Sequence, residues 1–513
     1  MSLEYNSILL ENEEKNNNIV QQIPLNINSF NRTIPKNNVS LKEYILSNKI
    51  ILSFITTVLF FSLLCLLNIN KLHNITKSNN RLISFAPTDN KGKNNYIELK
   101  FNCKDPNIPV QLFNSTNDIK NHIKTLNVGG KDENITENFT FGFAGKYKVI
   151  IEFKNKLTSL KNLFSGCAQL SIANFENFDS DEIVDMSGLF EGCLRLKYVE
   201  FADFNTKKVT NMANLFNGCK NLNQLNLSKF DTSNVQYMNG MFSQCEELYI
   251  LDLSNFNTKN VLRMDDMFSG SSYLFILNMS SFDTSNVENM ARMFDTCSNL
   301  PSLNISHFIT NKVTNMESIF HNCKKIMTIN LTQWDTSEVT SFRSMFSGCT
   351  KLSNVSIEHF DTSNVKYMDN MFLRCLNLTY LNIKNFKTSK VINMDNMFNG
   401  CEMLTSLDLS SFDTSNVVNM SGMFCSAFSL RSLNISNFKT KKVKRMDYIF
   451  NNNIMLTSLD ISNFDTFNVD IKRNFFNGIN PRGKIYINSD LVSNGILKQL
   501  PRGWEFIEKS SYK

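Results

Sequence analysis

Histidine is scarce in this chain, with five in 513 residues: His73, His122, His307, His321 and His359. They are scattered and form no His-Glu-x-x-His pair. The sequence also lacks Gly-x-Ser-x-Gly, a phosphate loop and a dinucleotide fingerprint, so none of the motifs that place a nucleophile, a zinc or a nucleotide is present. Enzymatic activity has no support in the residues, and no cofactor is implied. Twelve cysteines occur without one Cys-x-x-Cys, which removes the usual tetrahedral metal site. The net charge of +6 is modest and its basic residues are dispersed, so nucleic acid is a poor candidate partner.

What the chain has instead is repetition. An aromatic returns every 26 residues, at Phe178, Phe204, Phe230, Phe256, Phe282, Phe308, Trp334, Phe360, Phe386, Phe412, Phe438 and Phe464, without insertion or deletion. A fixed period of this size marks a solenoid, in which each unit buries its apolar face only by stacking on its neighbours. Within Phe230 to Asn255, residues Val235, Met238, Met241 and Phe242 follow the i, i+3, i+6, i+7 spacing of a short helix, with Ser233 or Asn234 as N-cap. Leu251 and Leu253 alternate with Asp252, which is strand spacing. The expected architecture is an α/β repeat solenoid with one short helix and one strand per 26-residue rung.

The recurring Val-x-x-Met-x-x-Met-Phe-x-x-Cys-x-x-Leu-x-x-Leu-x-Leu-Ser-x-Phe-Asp-Thr-Ser-Asn resembles the repeats of the BspA-like leucine-rich-repeat surface proteins, known from mycoplasma, other bacteria and some protists. The resemblance covers 157 to about 487. It implies a leucine-rich-repeat solenoid exposed at a cell surface, binding a protein or glycan ligand and carrying no catalytic residues.

The rest of the chain is read around that solenoid. Residues 1–49 form an Asn-rich polar tail for which disorder is the default. In it, Glu4, Tyr5, Ile8 and Leu9 match two short cytosolic sorting signals, the reading under which the protein would be an endolysosomal receptor. Ile50 to Leu67 is uncharged and apolar, about 27 Å long as a helix, enough for one membrane span. No small-residue cleavage site follows, so an uncleaved signal anchor is expected, making a single-pass membrane protein with its repeat domain extracellular. Residues 68–95 read as a stalk, 96–154 as a small β capping module, 155–487 as the solenoid and 488–513 as a C-terminal cap. Of twelve Asn-x-Ser/Thr sequons after Leu67, Asn74, Asn114, Asn134 and Asn138 are the expected glycosylation positions.

Nine cysteines fall in one column: Cys167, Cys193, Cys219, Cys245, Cys297, Cys323, Cys349, Cys375 and Cys401. Ser271, Ala427 and Asn453 complete it, and stacked Cβ atoms point the same way, so free packing thiols are expected rather than disulfides. A threonine column, Thr206 to Thr466, suits a hydroxyl that satisfies turn backbone. A strand column of Asn and Asp residues suits an amide ladder. That sheet face is short and polar until Ser356, Glu358, Tyr380, Asn382 and Lys384 interrupt it, and these five residues are the candidate binding face. The alternative is a passive coat or spacer without a specific ligand.

Overall fold

The computed structural model describes residues 95–509, apart from 116–117, 470–472, 489–490 and 492–495. Lys91–Lys513 forms one compact unit. Its dominant part is a β-solenoid of 26-residue turns. An unbroken ladder of parallel bridges, one residue per turn, runs from Ser159 through Asp185, Asn211 and Tyr237 to Arg445.

The α/β assignment is wrong on one point: the helix of each rung does not exist. Where the apolar spacing predicts it, alternate N–H groups leave the rung and donate to carbonyls of the next one. Met238 donates to Arg263 (3.1 Å), Gly240 to Asp265 (2.9 Å), Phe242 to Met267 (2.8 Å) and Gln244 to Ser269 (2.6 Å). The intervening N–H groups close four-residue turns, Met241 onto Met238 and Ser243 onto Gly240. A helix would need every N–H to point back four residues and every φ to be negative. Here Gly240 and Gln244 lie in the left-handed region, at φ 62° and 54°, and the same pair of left-handed positions recurs four residues apart in the other rungs. Two consecutive turns around the interior reproduce the i, i+3, i+6, i+7 spacing of a helix face. Among the described residues the helices are single turns, Ile119–His122 and Ile496–Gln499.

The interior is apolar and columnar. Phe230, Val235, Met238, Met241, Phe242, Cys245, Leu248, Leu251 and Leu253 are all buried. One phenylalanine column stacks rung on rung, with Phe320, Phe346 and Phe372 at centroid separations of 5.7 and 5.5 Å. Each buried threonine from Thr206 to Thr440 ties two rungs together: Thr232 Oγ1 donates to the Asn257 carbonyl at 3.0 Å and accepts the Asn257 N–H at 2.8 Å. The hydroxyl therefore serves the backbone of the following rung, not its own turn.

Both ends are closed by sheet. Tyr96–Cys103 pairs antiparallel with Gly145–Phe153 on one side and with the entering rung, Leu170–Asn174, on the other. At the far end Ser458–Asp460 pairs parallel with Arg482–Ile487, which pairs parallel with Gly503–Glu508. These added strands cover backbone groups and apolar surface that a bare terminal rung would expose.

The segment 50–67 lies outside the described residues, as do Glu4, Tyr5, Ile8, Leu9 and Asn74. No helix among the described residues is long and apolar enough to cross a membrane. The single-pass membrane anchor, the membrane as partner and the localisation built on them thus find no support, and these expectations are withdrawn.

Candidate recognition face

Recognition surfaces on a solenoid are built by whatever projects outward from the strand side, since inward positions are filled. In the Phe230 rung, Leu251 and Leu253 face in and Asp252 faces out. The Asp252 carboxylate accepts the Ser254 N–H at 3.0 Å. Asn226, Asn278, Asn330, Asp408 and Asp460 do the same for the residue two positions on. The column is thus a series of Asx turns within single rungs and not an amide ladder between rungs. Because only an acceptor oxygen is needed, Asn and Asp exchange freely there.

The five predicted residues occupy this face but do not form a joined cluster. Tyr380 is 63% exposed, Glu358 and Lys384 are exposed, and Ser356 and Asn382 are half-buried. Among the described residues no ion pair links Glu358 to Lys384. The pairing of strands also lapses there: it holds at Asn354–Val355, is lost at 380–382 and resumes at Ser406–Asp408. The charge of Lys384 acts on Asp408, whose carboxyl lies below its usual range mainly through the Ser410 N–H and hydroxyl.

A larger interruption, absent from the sequence-based expectations, lies four rungs earlier. Tyr249 and Phe275 stack at 5.3 Å with an interplanar angle of 4°. Ile250 pairs with Ile276 in the parallel strands Ile250–Asp252 and Ile276–Asn278. Tyr273, 58% exposed, stands on the approach to the second strand. Two adjacent rungs thereby carry three aromatics and two isoleucines. The equivalent positions at Ser353–Asn354 and Thr405–Ser406 are short and polar. The signal was available: Tyr249-Ile250 and Phe275-Ile276 are 26 residues apart. Alternation phased on Leu251 and Leu277 turns Ile250 and Ile276 outward but puts Tyr249 and Phe275 on the inward face, so only the structure shows Tyr249 to be exposed.

The cysteine column contributes no chemistry to this face. Its nine thiols are free and buried. Cys193 Sγ donates to the Phe164 carbonyl at 3.0 Å and Cys323 to the Phe294 carbonyl at 3.2 Å, and Ser271 Oγ makes the same bond to the Phe242 carbonyl at 2.7 Å. Burial pushes the thiols far up, Cys349 and Cys401 to about 12, so they remain protonated. Of the sequon residues, Asn134 and Asn138 are exposed in the N-terminal module, and Asn114 is half-buried. No group of three or more His, Cys, Asp or Glu among the described residues is placed to hold a metal ion.

The repeats match a known family model. Four overlapping stretches, 158–273, 244–329, 324–407 and 402–481, fit the model described as "Mycoplasma protein of unknown function, DUF285". No curated protein matches the chain. Since these matches run over well more than half of the sequence and coincide with the stacked rungs, the chain belongs to the DUF285 family of mycoplasma-type repeat proteins.

Proposed function

We propose that this protein is a BspA-like surface repeat protein whose solenoid recognises a protein or glycan, with no catalytic role. The observation that carries the reading is the aromatic patch on the strand side formed by exposed Tyr249 and Tyr273 with half-buried Phe275. Exposed aromatics set among short hydrogen-bonding side chains are the composition of an energetic interface centre, whereas Ser and Asn alone contribute little. The rigid stack of Tyr249 on Phe275 is held by paired strands, so little side-chain order is lost on contact. The interrupted face around Tyr380 and Lys384 is the secondary site.

Binding of the purified protein to arrayed extracellular proteins and glycans tests the proposal. Tyr249→Ser with Phe275→Ser should lower affinity at least about tenfold, a loss typical of two interface aromatics. Tyr380→Ser with Lys384→Ser should have the smaller effect. If both double variants bind as the parent does, or the parent binds nothing, the passive coat or spacer is the better reading.

A further inference from the structure

Basic residues dispersed along the sequence are brought together on one edge of the solenoid. Each rung turns a corner in the seven residues after its aromatic, and the parallel bridges from Tyr367 through Asn393 and Asn419 to Arg445 lay four of these corners on one another. Backbone bonds close the same stack: the Ile392 N–H donates to the Lys366 carbonyl at 2.9 Å, Val418 to Ile392 at 2.9 Å and Lys444 to Val418 at 2.8 Å. The corners after Phe360, Phe386, Phe412 and Phe438 hold eight basic residues against two acidic ones, Asp361 and Asp413. Five of the eight, Lys439, Lys441, Lys442, Lys444 and Arg445, fall in the last of them. The five preceding corners, from Phe230 to Trp334, hold three basic residues and five acidic ones, so the cations are confined to one stretch of this edge.

Two features separate this stretch from an ordinary solvated face. First, cations are positioned there without being neutralised. Lys390 Nζ donates to Asn364 Oδ1 at 2.7 Å and Lys442 Nζ to Asn416 Oδ1 at 2.6 Å. Each asparagine is itself pinned, its Nδ2 donating at 2.7 Å to a carbonyl of the rung before, Ser337 for Asn364 and Ser389 for Asn416. An amide oxygen orients the ammonium, occupies one of its three donors and leaves the charge whole. Second, Lys366, Lys390, Lys441, Lys442 and Lys444 are exposed, and none has an ion pair among the described residues. Lys387 and Arg445 are the ones set near acids, at 3.9 Å from Asp361 and 3.7 Å from Asp447. Asp470, next in the Lys444 column, lies outside the described residues.

We propose that this edge binds a linear acidic polysaccharide laid along the solenoid axis. Lys390 and Lys442 stand two rungs apart in one column, and Lys387 and Lys439 two rungs apart in another, which spaces successive cations about 10 Å. That is close to the repeat of an extended disaccharide, so a sulfate or carboxylate carried once per repeat meets one lysine for every two rungs. Phe467, next after Lys441 in its column and 85% exposed, offers an apolar ring to the face of a sugar. Lysines already held in place lose little freedom on contact. Other polyanions fit less well. A single-stranded nucleic acid uses successive stacking rings, and the aromatic within these four corners, Tyr367, is half-buried with Arg343 over it at 4.9 Å. A duplex presents a charge every ~1.7 Å, far denser than this stripe. The site is separate from the aromatic patch of the strand side and does not depend on it.

Calorimetric titration of the full chain with heparin, which carries sulfates, and with hyaluronan, which carries carboxylates alone, tests this. At least one should bind, with an affinity that falls as salt rises. Lys390→Gln with Lys441→Gln and Lys442→Gln should weaken binding at least about tenfold and flatten the salt dependence. Thermal melting should stay that of the parent, because all three side chains are exposed. The same three positions changed to Arg keep their charge and should keep binding. Lys259→Gln with Lys312→Gln, in the same columns of the acid-rich stretch, should leave binding unchanged. Tyr249→Ser with Phe275→Ser should do so too, which tells a failure here from a failure of the strand-side reading. A polysaccharide site on this edge is excluded if neither glycan binds, if the triple Gln variant binds as the parent does, or if either control pair loses as much as the triple variant. It is equally excluded if duplex DNA or phosphatidylserine vesicles bind more tightly than both glycans and lose that binding in the triple variant.

Discussion

The two long sides of the solenoid are held together differently. On the turn side every rung repeats the same construction, with two left-handed residues, alternate N–H groups donated forward and a phenylalanine stacked on its equivalents. On the strand side pairing is intermittent, with separate two-stranded pieces at Ile250–Asp252 with Ile276–Asn278, Thr328–Ile329 with Asn354–Val355, and Ser406–Asp408 with Ser432–Asn434. The turn side thus sets the rung spacing and the interior register. Freed from that duty, the strand side carries the outward variation, from Tyr249 and Phe275 to Tyr380. Stability and recognition are separated by face, not by domain.

That division fails if damage on the two sides proves equal. Phe346→Ala empties a fully buried position with stacked rings on both sides, and should cost about 3–5 kcal/mol. Hydrogen exchange should show the loss spreading to neighbouring rungs and fading toward the caps, because stacking acts between nearest neighbours. Uniform loss from end to end would contradict it. Gly348→Ala should come next, at about 1–2 kcal/mol by chemical denaturation. Its φ of 73° disfavours any Cβ, and the added atom would meet the Asn322 Oδ1.

Thiol substitutions sharpen the comparison at lower cost. Cys349→Ser retains a donor to the Phe320 carbonyl, as Ser271, three rungs earlier in the same column, donates to the Phe242 carbonyl, and should change stability by less than about 1 kcal/mol. Cys349→Ala loses that bond and should cost roughly 1–2 kcal/mol. Native alkylation followed by mass spectrometry should label half-buried Cys425 before any column thiol. Label appearing first at Cys349, which burial holds at about 12, would mean that the core opens more readily than its packing implies. Smallest of all, Tyr249→Ser or Tyr380→Ser should shift stability by no more than about 0.5 kcal/mol, since these rings are substantially exposed. A cost as large as that of Gly348→Ala would show the strand side to be structural after all.

The mistaken helix shows how much a periodic pattern leaves open. Val235, Met238, Met241 and Phe242 do lie on one inward face, so the buried set was legible. Backbone direction was not, because apolar spacing reports which side chains point in and says nothing of where the N–H groups go. The corrective signal stood in the same lines: Gly166, Gly192, Gly218, Gly270, Gly348, Gly400 and Gly478 share one column, all with positive φ. A residue type that costs a helix about 1 kcal/mol would not recur seven times in its interior. The candidate face was legible in kind but misjudged in place, since alternation from Leu251 and Leu277 puts Tyr249 and Phe275 on the inward face and only the structure turns Tyr249 out to solvent.

The sequence by itself determined the 26-residue period, the register of the columns and the inward residues, because a stacked array without insertions allows each position one neighbour above and one below. Only the tertiary structure decided that the backbone bonds run between rungs. That choice depends on carbonyls 25 residues away, which no local pattern of side chains contains. The same holds for Tyr249 upon Phe275, which become a neighbour pair only when one turn of the solenoid is laid on the next.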